Sequence, residues 1–192
     1  MLTTTAVEKS ISLVDFLAMP ETKPANEYAH GLITQKPMPK GKHSRLQSRL
    51  AREIDLQTEN KKIALALTEL RCTFGGRSLV PDIAVVRWDN LPRDEDGDIG
   101  DRYERFPDWT IEILSPDQSA TTVMEKIIFC MEQGTELGWL IDPQVKSISI
   151  FQQTSFPKVY SLERNATEPL TLIAEIEDWQ LSVTEIFDWL KV

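Results

Sequence analysis

The sequence predicts an α/β fold, a mixed β-sheet flanked by helices. Short runs rich in β-branched and apolar residues recur at 80–86, 109–114, 137–141 and 147–151. Segments of helical period fall at 43–54 and 122–134, and a strand, a strand and a helix follow one another through 80–134. At 192 residues the chain is long enough for one domain with a substantial core, so 1–192 is read as a single domain.

Residues 1–10 read as a ragged, disordered terminus. Ser12 is placed to cap a short helix through Leu17, which Met19-Pro20 closes. Glu27 to Thr34 reads as two short strands bending at Gly31, and Pro37 to Lys42 as an extended basic loop. From His43 the period becomes helical, with Leu46, Leu50 and Ile54 on one line. Ile63–Leu67 and Glu69–Phe74 read as extended segments, and Phe74-Gly75-Gly76-Arg77 as a turn. The next run, from Val80, reads as a strand to about Trp88. Residues 90–105 are an acidic surface loop. Counted from Asp94 as a calcium loop, it has Ile99 where glycine is required and Arg105 where glutamate is required. After the helix at 122–134, which Gly134 stops, Leu137–Ile141 reads as a buried strand. Ser147–Phe151 alternates as a half-exposed strand that 159–162 can pair, and a last helix spans Val183–Leu190.

Composition narrows the function. A net charge of −9 argues against broad electrostatic attraction to nucleic acid. The locally basic part runs from Lys36 to Arg52, where Lys40, Lys42, Arg45 and Arg49 are candidate phosphate contacts; a solvated helix face has the same pattern. Cys72 and Cys130 belong to no metal or redox motif and read as reduced, half-buried thiols. His30 and His43 are too few and too far apart for a zinc site. No run approaches a membrane span, and 1–17 lacks the parts of a secretory signal, so the expected location is cytoplasmic.

Two runs carry chemistry. Val80-Pro81-Asp82-Ile83-Ala84-Val85-Val86 and Trp109-Thr110-Ile111-Glu112-Ile113-Leu114-Ser115-Pro116 each set a carboxylate among residues of a buried strand. An ionised carboxylate there must be paired, neutralised or bound to a metal. Asp82 as a turn cap and Glu112 in a structural salt bridge are the plain alternatives. If the strands are neighbours, roughly 5 Å apart, both acids reach one cation. Mg²⁺ or Mn²⁺ suits two carboxylates plus waters, and it lowers the pKa of a bound water. Lys126, near the start of the following helix, is placed to orient that water or stabilise phosphoryl charge.

Pro81-Asp82, then Glu112-Ile113-Leu114-Ser115-Pro116, Lys126, Gly134 and Trp139-Leu140-Ile141-Asp142-Pro143 together resemble a restriction-endonuclease family of the PD-(D/E)XK nuclease superfamily. The resemblance covers nearly the full length, including Glu27-Tyr28, Gly31, Pro37 and His43. It implies a restriction-endonuclease-like core of four mixed strands between helices. It also implies divalent metal at Asp82 and Glu112 and hydrolysis of phosphodiester bonds, the substrate by resemblance being DNA; the backbone carbonyl of Ile113 is a candidate further ligand. The superfamily's usual lysine, two residues after the glutamate, is Leu114 here; the family's lysine on the next helix matches Lys126. Thr122 and Cys130 stand where relatives often carry aspartate and tyrosine. Glu27 and His43 are candidate accessory residues, and a homodimer is the expected assembly. A non-catalytic module binding nucleic acid or protein on a degenerate nuclease fold is the alternative.

Overall fold

The computed structural model describes residues 10–191, so the expected ragged terminus lies outside the described residues except for Ser10. Ser12 caps α1 (Leu13–Leu17) by accepting from the Asp15 N–H. Strands β1 (Asn26–Ala29) and β2 (Leu32–Gln35) form a hairpin. Its two turn residues, His30 and Gly31, both have positive φ, as the right-handed twist of a tight hairpin requires. Helix α2 (Gly41–Thr58) buries Leu46, Leu50 and Ile54 completely, so the expected apolar line is the packed face.

Among the described residues ten strands make two sheets. The smaller has the order β2-β1-β5-β4, with β4 (Cys72–Phe74) and β5 (Arg77–Leu79) joined through Gly75-Gly76. The larger has the order β10-β9-β8-β7-β6-β3. Its strands are β3 (Ala64–Thr68), β6 (Ile83–Arg87), β7 (Trp109–Ile113), β8 (Leu137–Asp142), β9 (Ser147–Gln152) and β10 (Ser155–Ser161). It is mixed: β7 and β8 are parallel, connected across α3 (Ala120–Gln133), and the other pairs are antiparallel. The four strands implied by the resemblance are therefore six, because β3 adds to the outer edge of β6 and β10 folds back on β9.

Alternation sorts the faces of the large sheet. Ile83, Val85, Ile111, Ile113, Trp139 and Ile141 face α2 and α4 (Val183–Asp188) in the main core. On the opposite face Leu140 and Phe151 pack on Val123 and Ile127 of α3, and that is the face to which Glu112 points. Helix α3 lies close to the sheet because β8 carries Gly138; a Cβ there would overlap Ile127 Cγ2.

Several boundaries differ from expectation. The run 80–88 is not one strand: Val80 to Asp82 is the crossing from β5 in the small sheet to β6 in the large one. Pro81, with no N–H to give a ladder, suits that junction. The segment from Glu69 forms a strand only at Cys72, since Glu69 turns the chain at φ 54°. The final helix stops at Asp188, where the Leu190 N–H donates to Phe187 O and tightens the turn. The acidic segment 90–105 is mostly exposed, with Leu91 and Tyr103 buried as anchors.

Candidate active site

The crossing from β5 to β6 brings the two acids together. Register pairs Ile83 with Ile111 and Ala84 with Thr110, so one step further out Asp82 stands opposite Glu112. Both residues are buried, at 3% exposure. Asp82 is fully engaged on one side: Oδ2 accepts from the Ile113 N–H at 2.7 Å and lies 3.0 Å from His43 Nε2. Its Oδ1 accepts from Lys36 Nζ at 2.7 Å.

Glu112 is held differently. Lys126 Nζ lies 2.9 Å from Glu112 Oε1, yet off the directions a hydrogen bond needs, so among the described residues that oxygen is charge-paired without a hydrogen-bond donor. Lys126 instead donates to Glu27 Oε1 at 2.6 Å and reaches Val80 O at 3.4 Å. Glu27 Oε1 also accepts from the Val80 N–H at 2.7 Å, tying β1, α3 and the crossing to one carboxylate.

Burial works to raise the Asp82 pKa, but the His43 hydrogen bond and the charges of Lys36, His43 and Lys126 outweigh it and hold it well below the usual carboxylate range. Glu112 moves the other way. Burial pushes it above the usual range, the Asp82 charge adds to that, and Lys126 offsets only part. Burial would lower the Lys126 pKa, but Glu112, Glu27 and Asp82 hold its ammonium above the ordinary lysine value. Glu112 is thus the weaker acid of the pair, and its neighbours favour the charged form of Lys126.

The donor set suits a hard divalent cation. Asp82 Oδ2 has both lone pairs in use, while Oδ1 has one free beside Lys36. Glu112 Oε1 is the orphan. A strand residue points its N–H and C=O to the same edge, and the Ile113 N–H faces Asp82, so the Ile113 carbonyl shares that edge. Among the described residues no group of three or more His, Cys, Asp and Glu could hold a metal ion.

A cleft of about 840 Å³ opens at the Asp82 side of this donor set, with Lys36, His43, Gln47 and Asp82 among its walls and Met38 and Ile99 at its apolar side. Of the candidate site residues, Asp82, Glu112, Lys126, Ile113, Glu27 and His43 come together. Lys40 and Lys42 are exposed, Lys40 2.9 Å from Asp117. Arg45 and Arg49 point elsewhere: Arg45 Nε donates to Trp189 O, and Arg49 pairs with Glu53 beneath the Trp189 ring. The residue missed as a site member is Lys36, read only as the start of the basic stretch that runs to Arg52. Gln47, which donates to Asp82 O and Glu69 Oε1, was also missed. No local pattern separates Lys36 from Lys40 and Lys42.

A sequence model of the Uma2 family, described as "Putative restriction endonuclease", matches residues 13–184. The chain belongs to this family. A solved structure from Anabaena variabilis, described as a "putative nuclease belonging to DUF820", is 43% identical. It covers 94% of this chain and 99% of its own, at a TM-score of 0.90. No curated protein matches. Membership of the Uma2 family agrees with the restriction-endonuclease-like fold, and no helix among the described residues is long and apolar enough to cross a membrane.

Proposed function

We propose that the protein is a divalent-metal-dependent endonuclease that hydrolyses DNA phosphodiester bonds. The observation that carries this is the meeting of Asp82 and Glu112 at the β6–β7 end, with Glu112 Oε1 buried and lacking a donor. Asp82 Oδ1, Glu112 Oε1 and the Ile113 carbonyl would hold Mg²⁺ or Mn²⁺. The ion supplies Lewis acidity to a water and to the phosphoryl oxygen. The chain's own groups set the geometry: His43 and the Ile113 N–H fix Asp82, and Glu27 fixes Lys126 against Glu112. In the reaction the water oxygen bonds to phosphorus, the bond from phosphorus to the sugar oxygen breaks, and protons pass to solvent and to the leaving oxygen.

A second proposal, a non-catalytic binding module on the same fold, is favoured by one observation. Lys36 and Lys126 already pair both acids, as in a closed structural network. Calorimetry with Mn²⁺ and cleavage of plasmid, linear and single-stranded DNA separate the two. The nuclease binds Mn²⁺ through Asp82 and Glu112, and Asp82→Asn or Glu112→Gln lowers cleavage by about three orders of magnitude or more. Absence of Mn²⁺ binding by the native chain leaves the binding module.

A further inference from the structure

We propose that Lys36 is the lysine that meets the scissile phosphate, and that Lys126 is a positioning residue behind it. This rests on the nuclease function proposed above. The two ammonium groups flank the acid pair symmetrically, Lys36 on Asp82 Oδ1 and Lys126 on Glu112 Oε1, but their surroundings differ. Lys126 is held by Glu27, Glu112 and Val80 O, and although its side chain is 13% exposed against 9% for Lys36, it does not line the cleft. Lys36 does, together with Asp82 and His43.

The partners of Lys36 show where the phosphate goes. Two of its contacts are short and deep, to Val80 O at 2.8 Å and Asp82 Oδ1 at 2.7 Å. The third is a forked contact to Glu69, 3.1 Å to each carboxylate oxygen. Glu69 is the exposed member: its side chain is 45% exposed, against 9% for Lys36, its Oε1 also accepts from Gln47, and it lines the cleft. Its two anionic oxygens stand where the non-bridging oxygens of a phosphodiester would, so a substrate phosphate entering the cleft replaces Glu69 on Lys36 anion for anion. Lys36 then donates to a non-bridging oxygen, on which negative charge grows as water adds to phosphorus.

The test compares Lys36→Met, Lys36→Arg, Lys126→Met and Glu69→Gln for Mn²⁺ affinity by calorimetry, unfolding temperature, and kcat and KM on DNA. Lys36→Met is expected to bind Mn²⁺ at least as tightly as the native chain, since a competing cation leaves Asp82, while kcat falls by about 100-fold or more. Lys36→Arg is expected to recover part of that loss. Glu69→Gln, which removes an anionic competitor at a half-exposed position, lowers KM, and it decides the matter if Lys36→Met does not fold. Native kcat in Lys36→Met, loss of Mn²⁺ binding in a folded Lys36→Met, or a raised KM in Glu69→Gln overturns the assignment of Lys36 alone. A native chain that neither binds Mn²⁺ nor cuts DNA overturns the nuclease function, and this assignment with it.

Discussion

Glu27 and Lys126, 99 residues apart in sequence, meet at 2.6 Å, and that contact decides where the helix lysine sits. Each side chain is 13% exposed, so the pair is largely shielded from water. Removing one partner leaves a buried ammonium short of an anion, which costs about 3 kcal/mol in such settings. Glu27→Ala is therefore expected to lower unfolding stability by about that amount in denaturant titration, and Glu27→Gln, which keeps an acceptor, by less. Because Glu27 holds Lys126 and is not among the ligands proposed for the ion, Mn²⁺ affinity in both variants should stay within a few-fold of the native value. A loss as large as that of Glu112→Gln would make Glu27 a ligand.

The opposite shifts of Asp82 and Glu112 give the metal-free protein a pH signature. Burial raises the folded pKa of Glu112 above its unfolded value, with the Asp82 charge adding and Lys126 opposing. Its contribution to stability is thus fully present below the unfolded glutamate pKa and is lost as pH rises toward the folded one. Where the two states differ by one proton, stability falls by about 1.4 kcal/mol per pH unit. Asp82 has the reverse sign: its depressed pKa contributes stability above the unfolded aspartate value that is lost in acid. Thermal unfolding in chelator from weakly acidic to mildly alkaline pH should show a decline that Glu112→Gln flattens. An unchanged slope in that variant would place the titrating group elsewhere.

The elements of this site were unequally legible in the sequence. The acids stood out because Asp82 and Glu112 interrupt apolar strand runs, and that contrast is local. Leu46, Leu50 and Ile54 marked the packed face of α2 for the same reason, a period visible within a few turns. Lys36 left no such mark. Its place depends on the β1–β2 hairpin laying the following loop across the β5–β6 crossing, a contact 46 residues long in sequence. The strand break at Val80-Pro81-Asp82 was hidden too, since apolar residues continue through it while the partner sheet changes. Arg45 and Arg49 shared a basic stretch with Lys40 and Lys42, but helical rotation carries them to Trp189.

Gly138 sets the distance between α3 and the large sheet. A Cβ at this position would meet Ile127 Cγ2 well inside contact distance, and Ile127 is the residue after Lys126. Gly138→Ala must push the helix outward or force Ile127 off its rotamer, an overpacking cost of about 1–3 kcal/mol. Lys126 moves with the helix, while Asp82 and Glu112, carried by the crossing and by β7, do not. The expected outcome is lower stability and lower kcat with Mn²⁺ affinity retained. Equal stability and kcat in Gly138→Ala would show that α3 has room that the packing does not reveal.

If the proposed function holds, the salt dependence of DNA binding should separate the two halves of the basic stretch. Each phosphate neutralised by a lysine or arginine adds about 0.9 to the slope of log affinity against log salt for duplex DNA. Lys40 and Lys42 are exposed on the loop and first turn that border the cleft, Lys40 against a still more exposed Asp117 that gives it up easily. Arg45 and Arg49 are committed to Trp189 and Glu53 on another face of α2. Binding measured in Ca²⁺ over a range of salt should lose about two units of slope at most in the Lys40→Ala, Lys42→Ala double variant. The Arg45→Ala, Arg49→Ala double variant should keep the native slope while losing some stability from the Trp189 contact. The reverse ranking would mean that DNA approaches along α2 and the C-terminal segment, and that the cleft over Asp82 is entered from that side.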